Sequence, residues 1–343
     1  GGPTFNPHGV MLSHGAVCEE AIDSADALMQ TANDILIQFA LPNYHQYGLT
    51  AVLLSSIICG NTVVSVSGTG RSIHTFMETI EREKGTMYLG VPYIYALMIN
   101  VARREGIKND LSSLRLCASA GAALEPVIIR LFRQYFNMPI IDMYGLTESV
   151  CQVTVMPLDG SGPIGSSGKA MSRWQLQIFD ENDNRIPPGI IGEIVLRGPF
   201  MTGYYNQPED TARALRHGWL HTGDLGYVDE NNFLFITGRK RRLIILKGQN
   251  VFPEDIEFIL KRHPAVAAVK VAGVPDLVRG ETIKALVRLK TGASATEQEL
   301  RQYCIGKIAD YKLPRTVQIV DKMPQEIPIW SRPADTTVLD FSL

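Results

Sequence analysis

The sequence predicts an α/β fold: a large parallel-sheet domain with a β subdomain, then a small α+β domain at the carboxy-terminal end. Three observations lead there. Apolar runs of strand length alternate with helix-period segments as far as Met156, the pattern of βα units in a parallel sheet. After Pro157 the texture turns to glycine, proline and short alternating runs, as in a small β structure. From Gly238 onward strands and helices mix again. The expected boundaries are therefore 1–156 for the α/β part, 157–238 for the β subdomain, and 239–343 for the small domain, a common domain size.

In order, residues 14–39 mix small, acidic and apolar residues at helical spacing and predict a half-buried helix. The most apolar segment, Leu49–Val66, is interrupted by Ser55, Ser56, Gly60, Asn61 and Thr62, which fits a buried helix and a strand better than a membrane span. An amphipathic helix is expected over 73–83, a strand over 87–92 and a helix over 93–104. A strand (114–119), a helix (125–136) and a strand (140–144) come next. Residues 175–180 and 192–197 alternate like strands of the β subdomain, and 233–237 reads as another strand. In the last domain the order reads strand, helix (253–261), strand (266–274), strand (283–289) and helix (297–308).

Composition excludes several classes. The net charge of −2 sets up no field for nucleic acid or an acidic membrane surface. The five cysteines form no CxxC pair and no metal spacing with histidine, so neither a zinc site nor a disulfide framework is expected, and a reducing cytoplasm fits. No signal peptide is visible. The chain begins at Gly1 inside what reads as a working loop, so a missing upstream part is expected.

The chemistry concentrates in a few motifs. Thr222-Gly223-Asp224 puts a carboxylate on a glycine-flanked turn, suited to the two donors of a ribose diol. Gly238-Arg239-Lys240 sets a cation at a strand end, suited to ribose or phosphate. Together YGLTE (144–148), GEI (192–194), GYY (203–205), TGD (222–224), GR (238–239) and KGQNVFPEDIE (247–257) resemble the adenylate-forming superfamily of acyl-CoA synthetases, luciferases and peptide-synthetase adenylation domains. The resemblance runs from Gly9 to about Pro324 and keeps the family's motif order.

The resemblance implies an activity and a set of roles. The chain would activate a carboxylic acid with ATP to acyl-AMP and pass the acyl group to CoA, with Mg²⁺ as metal. Gly121, Ala122 and Ala123 would lie along adenine in the turn Ser119–Leu124, small residues letting the base approach the main chain. Tyr144 would stack on adenine, with Gly145 beside it. Thr147 would bond the α-phosphate, Glu148 would hold Mg²⁺, Asp224 the ribose hydroxyls, and Arg239 the ribose and phosphate side. His45, in an LPxxHxxG-like segment, would gate the acyl site. Arg241 would be the hinge of the small domain, and Gly248 would let the CoA thiol arm approach. Small residues at Gly121, Ala122 and Gly145 leave room for a fatty or aryl acyl group.

Two parts depart from the family. In the phosphate loop, Gly1–Val10, Phe5 replaces a glycine, Pro3 removes an N–H, and His8 replaces the lysine. At the other end Met323–Arg332 carries no Gly-Lys, and Trp330 aligns with the bridging lysine. Losing such a contact would cost a few kcal/mol, roughly a hundredfold or more in rate. The front of the family's large domain is also absent, so a fragment, or a partner chain supplying that part, is expected. The competing expectations are a pseudoenzyme that binds nucleotide or acyl-AMP without turnover, and an adenylation domain that loads a carrier protein.

Overall fold

The computed structural model describes residues 8–66, 72–239, 244–247, 249–276 and 279–324. They form two compact units, one ending at the Gly238-Arg239 strand end and the other comprising the residues from Ile244 on.

The first unit opens with β1 (Val10–Met11) and α1 (His14–Ala27), whose amino-terminal turn is capped by Ser13 accepting the Ala16 N–H at 3.1 Å. The helix expected to run to residue 39 stops at Ala27, and Ile35–Gln38 is a strand, β2. The break is chemical: Asp34 accepts the Thr31 N–H (2.8 Å) and hydroxyl (3.1 Å), closing a local turn that competes with helix. A π-helical stretch (Tyr47–Leu54) leads into α2 (Ser55–Cys59), ended by Gly60 at φ +69°. Then come β3 (Thr62–Ser65), α3 (Ile73–Glu83), β4 (Met87–Gly90) and α4 (Pro92–Glu105), which starts with proline at its first turn. β5 (Leu116–Ser119), α5 (Pro126–Phe136), β6 (Ile141–Gly145), β7 (Gln152–Val155) and β8 (Lys169–Ala170) complete the sheet.

Its order is β3-β2-β4-β5-β6-β7-β8. The pairings from β3 to β6 are parallel, while β7 and β8 add antiparallel. The parallel strands are apolar without alternation, and β4 and β5 are buried at every position, as expected of a sheet covered on both faces. One flank carries a continuous aromatic run, Phe39, Phe76, Tyr88, Tyr95 and Phe132, with centroids 4.5–5.5 Å apart.

The β subdomain holds β9 (Gln175–Phe179), β10 (Gly192–Arg197), β11 (Gly203–Tyr204), α6 (Pro208–Ala214), β12 (Leu215–Arg216), β13 (Trp219–Val228) and β14 (Leu234–Arg239). The sheet runs β12-β13-β10-β9 with β14 on β13, all antiparallel, and β11 instead pairs with β1. A core of Trp174, Ile178, Ile194, Leu196, Leu220 and Leu234 also takes in Tyr144 and Val153 from the parallel-sheet side. Tyr144 thus sits where the two sheets meet.

The second unit contains β15 (Ile244–Leu246), β16 (Gln249–Val251), α7 (Pro253–Lys261), β17 (Val266–Asp276), β18 (Gly280–Leu289), α8 (Glu297–Tyr303) and β19 (Thr316–Ile319). β17 and β18 form a long antiparallel pair, with β15 and β19 also on β18. The last helix ends at Tyr303 rather than 308, and the chain turns through Gly306 at φ +72°. Lys312 donates to Asp255 Oδ2 at 2.7 Å, both buried, fixing the 310–312 turn to α7.

Candidate active site

The sequence places TGD on a turn; in the fold it lies within β13, as a bulge. Val195 pairs with His221 and Glu193 with Leu225, so Thr222, Gly223 and Asp224 together face the single residue Ile194. Gly223 takes φ +73°, a conformation that costs glycine little. The Thr222 hydroxyl donates to the Ile194 carbonyl (2.7 Å) and accepts the Asp224 N–H (3.0 Å).

Asp224 is thereby turned into the protein and is 1% exposed. Tyr144 Oη donates to its Oδ2 at 2.7 Å, and Arg239, its cross-strand partner on β14, sets the guanidinium Nε against Oδ1. Burial pushes the Asp224 pKa up, the Arg239 charge and the Tyr144 hydroxyl pull it back, and nearby Glu148 adds to the rise. Burial and the Asp224 charge both raise Tyr144 far above the usual phenol value, so this hydroxyl stays a donor.

Tyr144 lies at the end of β6, and the chain then reverses through Thr147–Ser149. A Cβ on Gly145 would fall 1.8 Å from the Cys151 carbonyl oxygen. The space expected there for an acyl group is filled by backbone, so the glycine answers the reversal into β7. Glu148 is held twice: its carbonyl accepts the Met201 N–H (2.8 Å), and its Oε1 accepts the Tyr204 hydroxyl (3.1 Å). Tyr204 belongs to GYY, a motif to which the sequence assigns no residue role. His8 packs edge-on against Tyr204 at 4.6 Å, with Nε2 3.7 Å from Asp210.

Beyond β5, Gly121 takes φ +80° in the turn that carries Ala122 and Ala123. Ser119 is in register with Asp142 on β6, and both are buried. Ser119 Oγ and Asp142 Oδ1 lack hydrogen bonds among the described residues, although Asp142 Oδ2 accepts from Ser167 at 3.0 Å. Burial takes Asp142 up to about 8, which the Ser167 hydroxyl and Met143 N–H only partly offset. A lone aspartate in an apolar strand, two residues before the YGLTE tyrosine, was the available signal.

His45 precedes the π-helical stretch and accepts the Tyr47 N–H on Nδ1 at 3.2 Å. Its side chain reaches solvent, yet crowding around the ring lowers its pKa. No hydrogen bond among the described residues joins it to the Tyr144–Asp224 cluster. Gly248, the hinge Arg241, Lys240, Arg242, phosphate-loop residues 1–7 and the segment with Trp330 and Arg332 lie outside the described residues. So does the Gly-Lys position as a whole.

Among the described residues no group of three His, Cys, Asp or Glu side chains could hold a metal. Mg²⁺ keeps water and takes substrate phosphate oxygens alongside one or two protein ligands, so a lone carboxylate such as that of Glu148 is a chemically sufficient candidate for it. No helix among the described residues is long and apolar enough to cross a membrane.

Tyr144, Asp224 and Arg239, drawn from three strands of two sheets, thus form one buried cluster in the first unit. The chain belongs to the AMP-binding enzyme family, which matches residues 1–205, with that family's C-terminal domain matching 255–327. It is 35% identical over 329 residues to a long-chain-fatty-acid–CoA ligase of Bacillus subtilis, covering 95% of this chain and 58% of that protein. An oxalate–CoA ligase of Arabidopsis thaliana is 32% identical, with 94% and 63% covered. Among solved structures, an amide bond synthetase from Marinactinospora thermotolerans superposes with a TM-score of 0.84 at 29% identity. An o-succinylbenzoate CoA synthetase variant from Bacillus subtilis gives 0.84 at 30%. Each of these two covers 94% of this chain and 65% of the other. The chain thus spans about three-fifths of the curated relatives it matches.

Proposed function

We propose that this chain carries the nucleotide- and thiol-handling part of an AMP-forming acyl-CoA synthetase. The observation that bears most weight is Asp224, a buried carboxylate aimed by the β13 bulge and paired with Arg239. Arg239 and Tyr144 offset the cost of burying it, and its two oxygens suit the two hydroxyls of a ribose. In this reading adenine rests on the Gly121–Ala123 backbone beside Tyr144. Thr147 reaches the α-phosphate. Glu148, oriented by Tyr204, would hold Mg²⁺, whose charge neutralises phosphate oxygens when it is bound.

The acid's carboxylate attacks the α-phosphorus in line, the bond to pyrophosphate breaks, and the CoA thiol then displaces AMP from the acyl carbon. Both steps gather charge on oxygen, so fixed donors and cations matter more than proton transfer. His45 and Gly248 keep the acyl-site and thiol-arm roles as proposals. The named relatives favour a fatty, aryl or dicarboxylic acid and CoA as small-molecule partners. The absence of a charged field makes nucleic acid a poor partner.

A second reading, nucleotide binding with little turnover, draws on His8. This side chain stands in place of the loop lysine and is engaged by Asp210 and Tyr204. Acid-dependent exchange of pyrophosphate into ATP by the purified 343-residue chain decides between the two. Exchange supports the ligase, and AMP binding without exchange supports the second reading. Asp224→Ala is expected to abolish AMP binding in titration calorimetry, and unchanged binding would refute the ribose assignment.

A further inference from the structure

The β13 bulge that aims Asp224 has a cost. Three residues opposite one leave the Gly223 N–H without a ladder acceptor beside a buried carboxylate. An unpaired N–H there would destabilise the bulge. The neighbouring strand supplies the missing acceptor as a side chain. Glu193 on β10, 5% exposed, accepts the Gly223 N–H on Oε1 at 3.1 Å.

The other oxygen of Glu193 is also held. His221 Nδ1, on β13 just before the bulge, lies 2.9 Å from Oε2. Arg216 on β12 stands 2.8 Å from the same ring nitrogen and 3.8 Å from Oε2, and Arg216 is itself tied to Asp183 at 3.0 Å. The carboxylate therefore has an imidazole and a guanidinium on one side and a backbone N–H on the other. That combination fixes the direction of the carboxylate. The Thr222 hydroxyl ties the preceding residue of the bulge to Ile194, the residue after Glu193. Two adjacent residues of β10 thus hold the two bulge residues that lead into Asp224.

We infer that Glu193 is a positioning residue for the nucleotide: through Gly223 it sets the angle at which Asp224 meets the ribose hydroxyls, with His221 and Arg216 bracing it from behind. This rests on the reading of Asp224 as the ribose carboxylate. It explains why the buried carboxylate of a GEI motif, remote from any reacting atom, belongs with the TGD motif: the two are halves of one hydrogen-bonded bulge.

The measurement is the affinity of the full chain for AMP relative to 2′,3′-dideoxy-AMP, by calorimetry, alongside circular dichroism. The ratio isolates the diol, which a general loss of structure would not do, since both nucleotides would weaken together. Glu193→Ala and Glu193→Asp are expected to lower the ratio by about tenfold, the value of one hydrogen bond to a charged group. Aspartate keeps the charge facing His221 and Arg216 but is one methylene too short for Gly223, so it also serves if the alanine variant does not fold. Glu193→Gln, which retains an acceptor at the same reach, is expected to restore the ratio. A wild-type ratio in a folded Glu193→Asp protein overturns the inference, as does a failure of Gln to restore it. The ribose reading itself is judged by Asp224→Asn. A ratio unchanged there removes the ribose assignment, whereas a collapse there with Glu193→Asp unaffected removes only the role of Glu193.

Discussion

At the scale of single residues, positions that look interchangeable in the motif do different work. Gly145 reads as room for a ligand, but its missing side chain is the space occupied by the Cys151 carbonyl. Backbone cannot swing aside as a flexible side chain can. Gly145→Ala is therefore expected to destabilise the first unit by several kcal/mol, seen as a lower urea midpoint in chemical denaturation. A variant within about half a kcal/mol of wild type would show that the reversal into β7 yields. The sequence identified Tyr144, Asp224 and Arg239 as site residues, and they are in direct contact in the fold. Glu193 and Tyr204 were invisible as individuals because their parts depend on partners far along the chain. Glu193 acts on a residue thirty positions away, and Tyr204 on one fifty-six positions away. No local pattern carries that information.

At the scale of elements, helices were legible wherever the period was clean. Those at 73–83, 92–105, 126–136 and 253–261 lie within a residue or two of expectation. Legibility failed where a side chain competes with the backbone. Asp34 ends the helical expectation for 14–39 and ties β2 to its neighbours, through Arg115 Nε and Nη2 at 2.7 Å each and the Thr86 hydroxyl at 2.8 Å. Burial works against its charge, but the hydrogen bonds from Arg115, Thr86 and the Thr31 N–H outweigh it and take the pKa down to about 2. A depressed carboxylate stabilises the fold above its unfolded value of 3.8, and that contribution disappears as pH falls through about 2. With Arg115 partly solvated the contribution is about 1–2 kcal/mol. Asp34→Asn is expected to lose that amount at pH 7 and nearly nothing near pH 2, so the stability curves of the two proteins should converge on acidification. Parallel curves would remove Asp34 as the source.

At the scale of the molecule, the described residues form two units with separate cores, and the sequence changes texture near Gly238, where the first of them ends. The second unit buries an ion pair, Lys312 with Asp255, at its centre. Removing one partner breaks a buried ion pair. Lys312→Met is expected to cost that unit about 3–5 kcal/mol, read as lost hydrogen-exchange protection in α7, β17 and β18. Full protection in the variant would show that Asp255 finds another way to be satisfied.

The two-residue ribbon of β1 with β11 joins segments whose Met11–Thr202 hydrogen bond closes 191 positions of chain. Closing so large a ring is entropically slow, and four paired residues return little burial for it. This ribbon should zip up late in folding and be the first part to breathe in the native state. Tyr204, and with it the orientation of Glu148, stands on that ribbon. The carboxylate proposed to meet the metal is therefore steered, from its own turn, by a tyrosine whose strand is held to the start of the described chain by only two residue pairs.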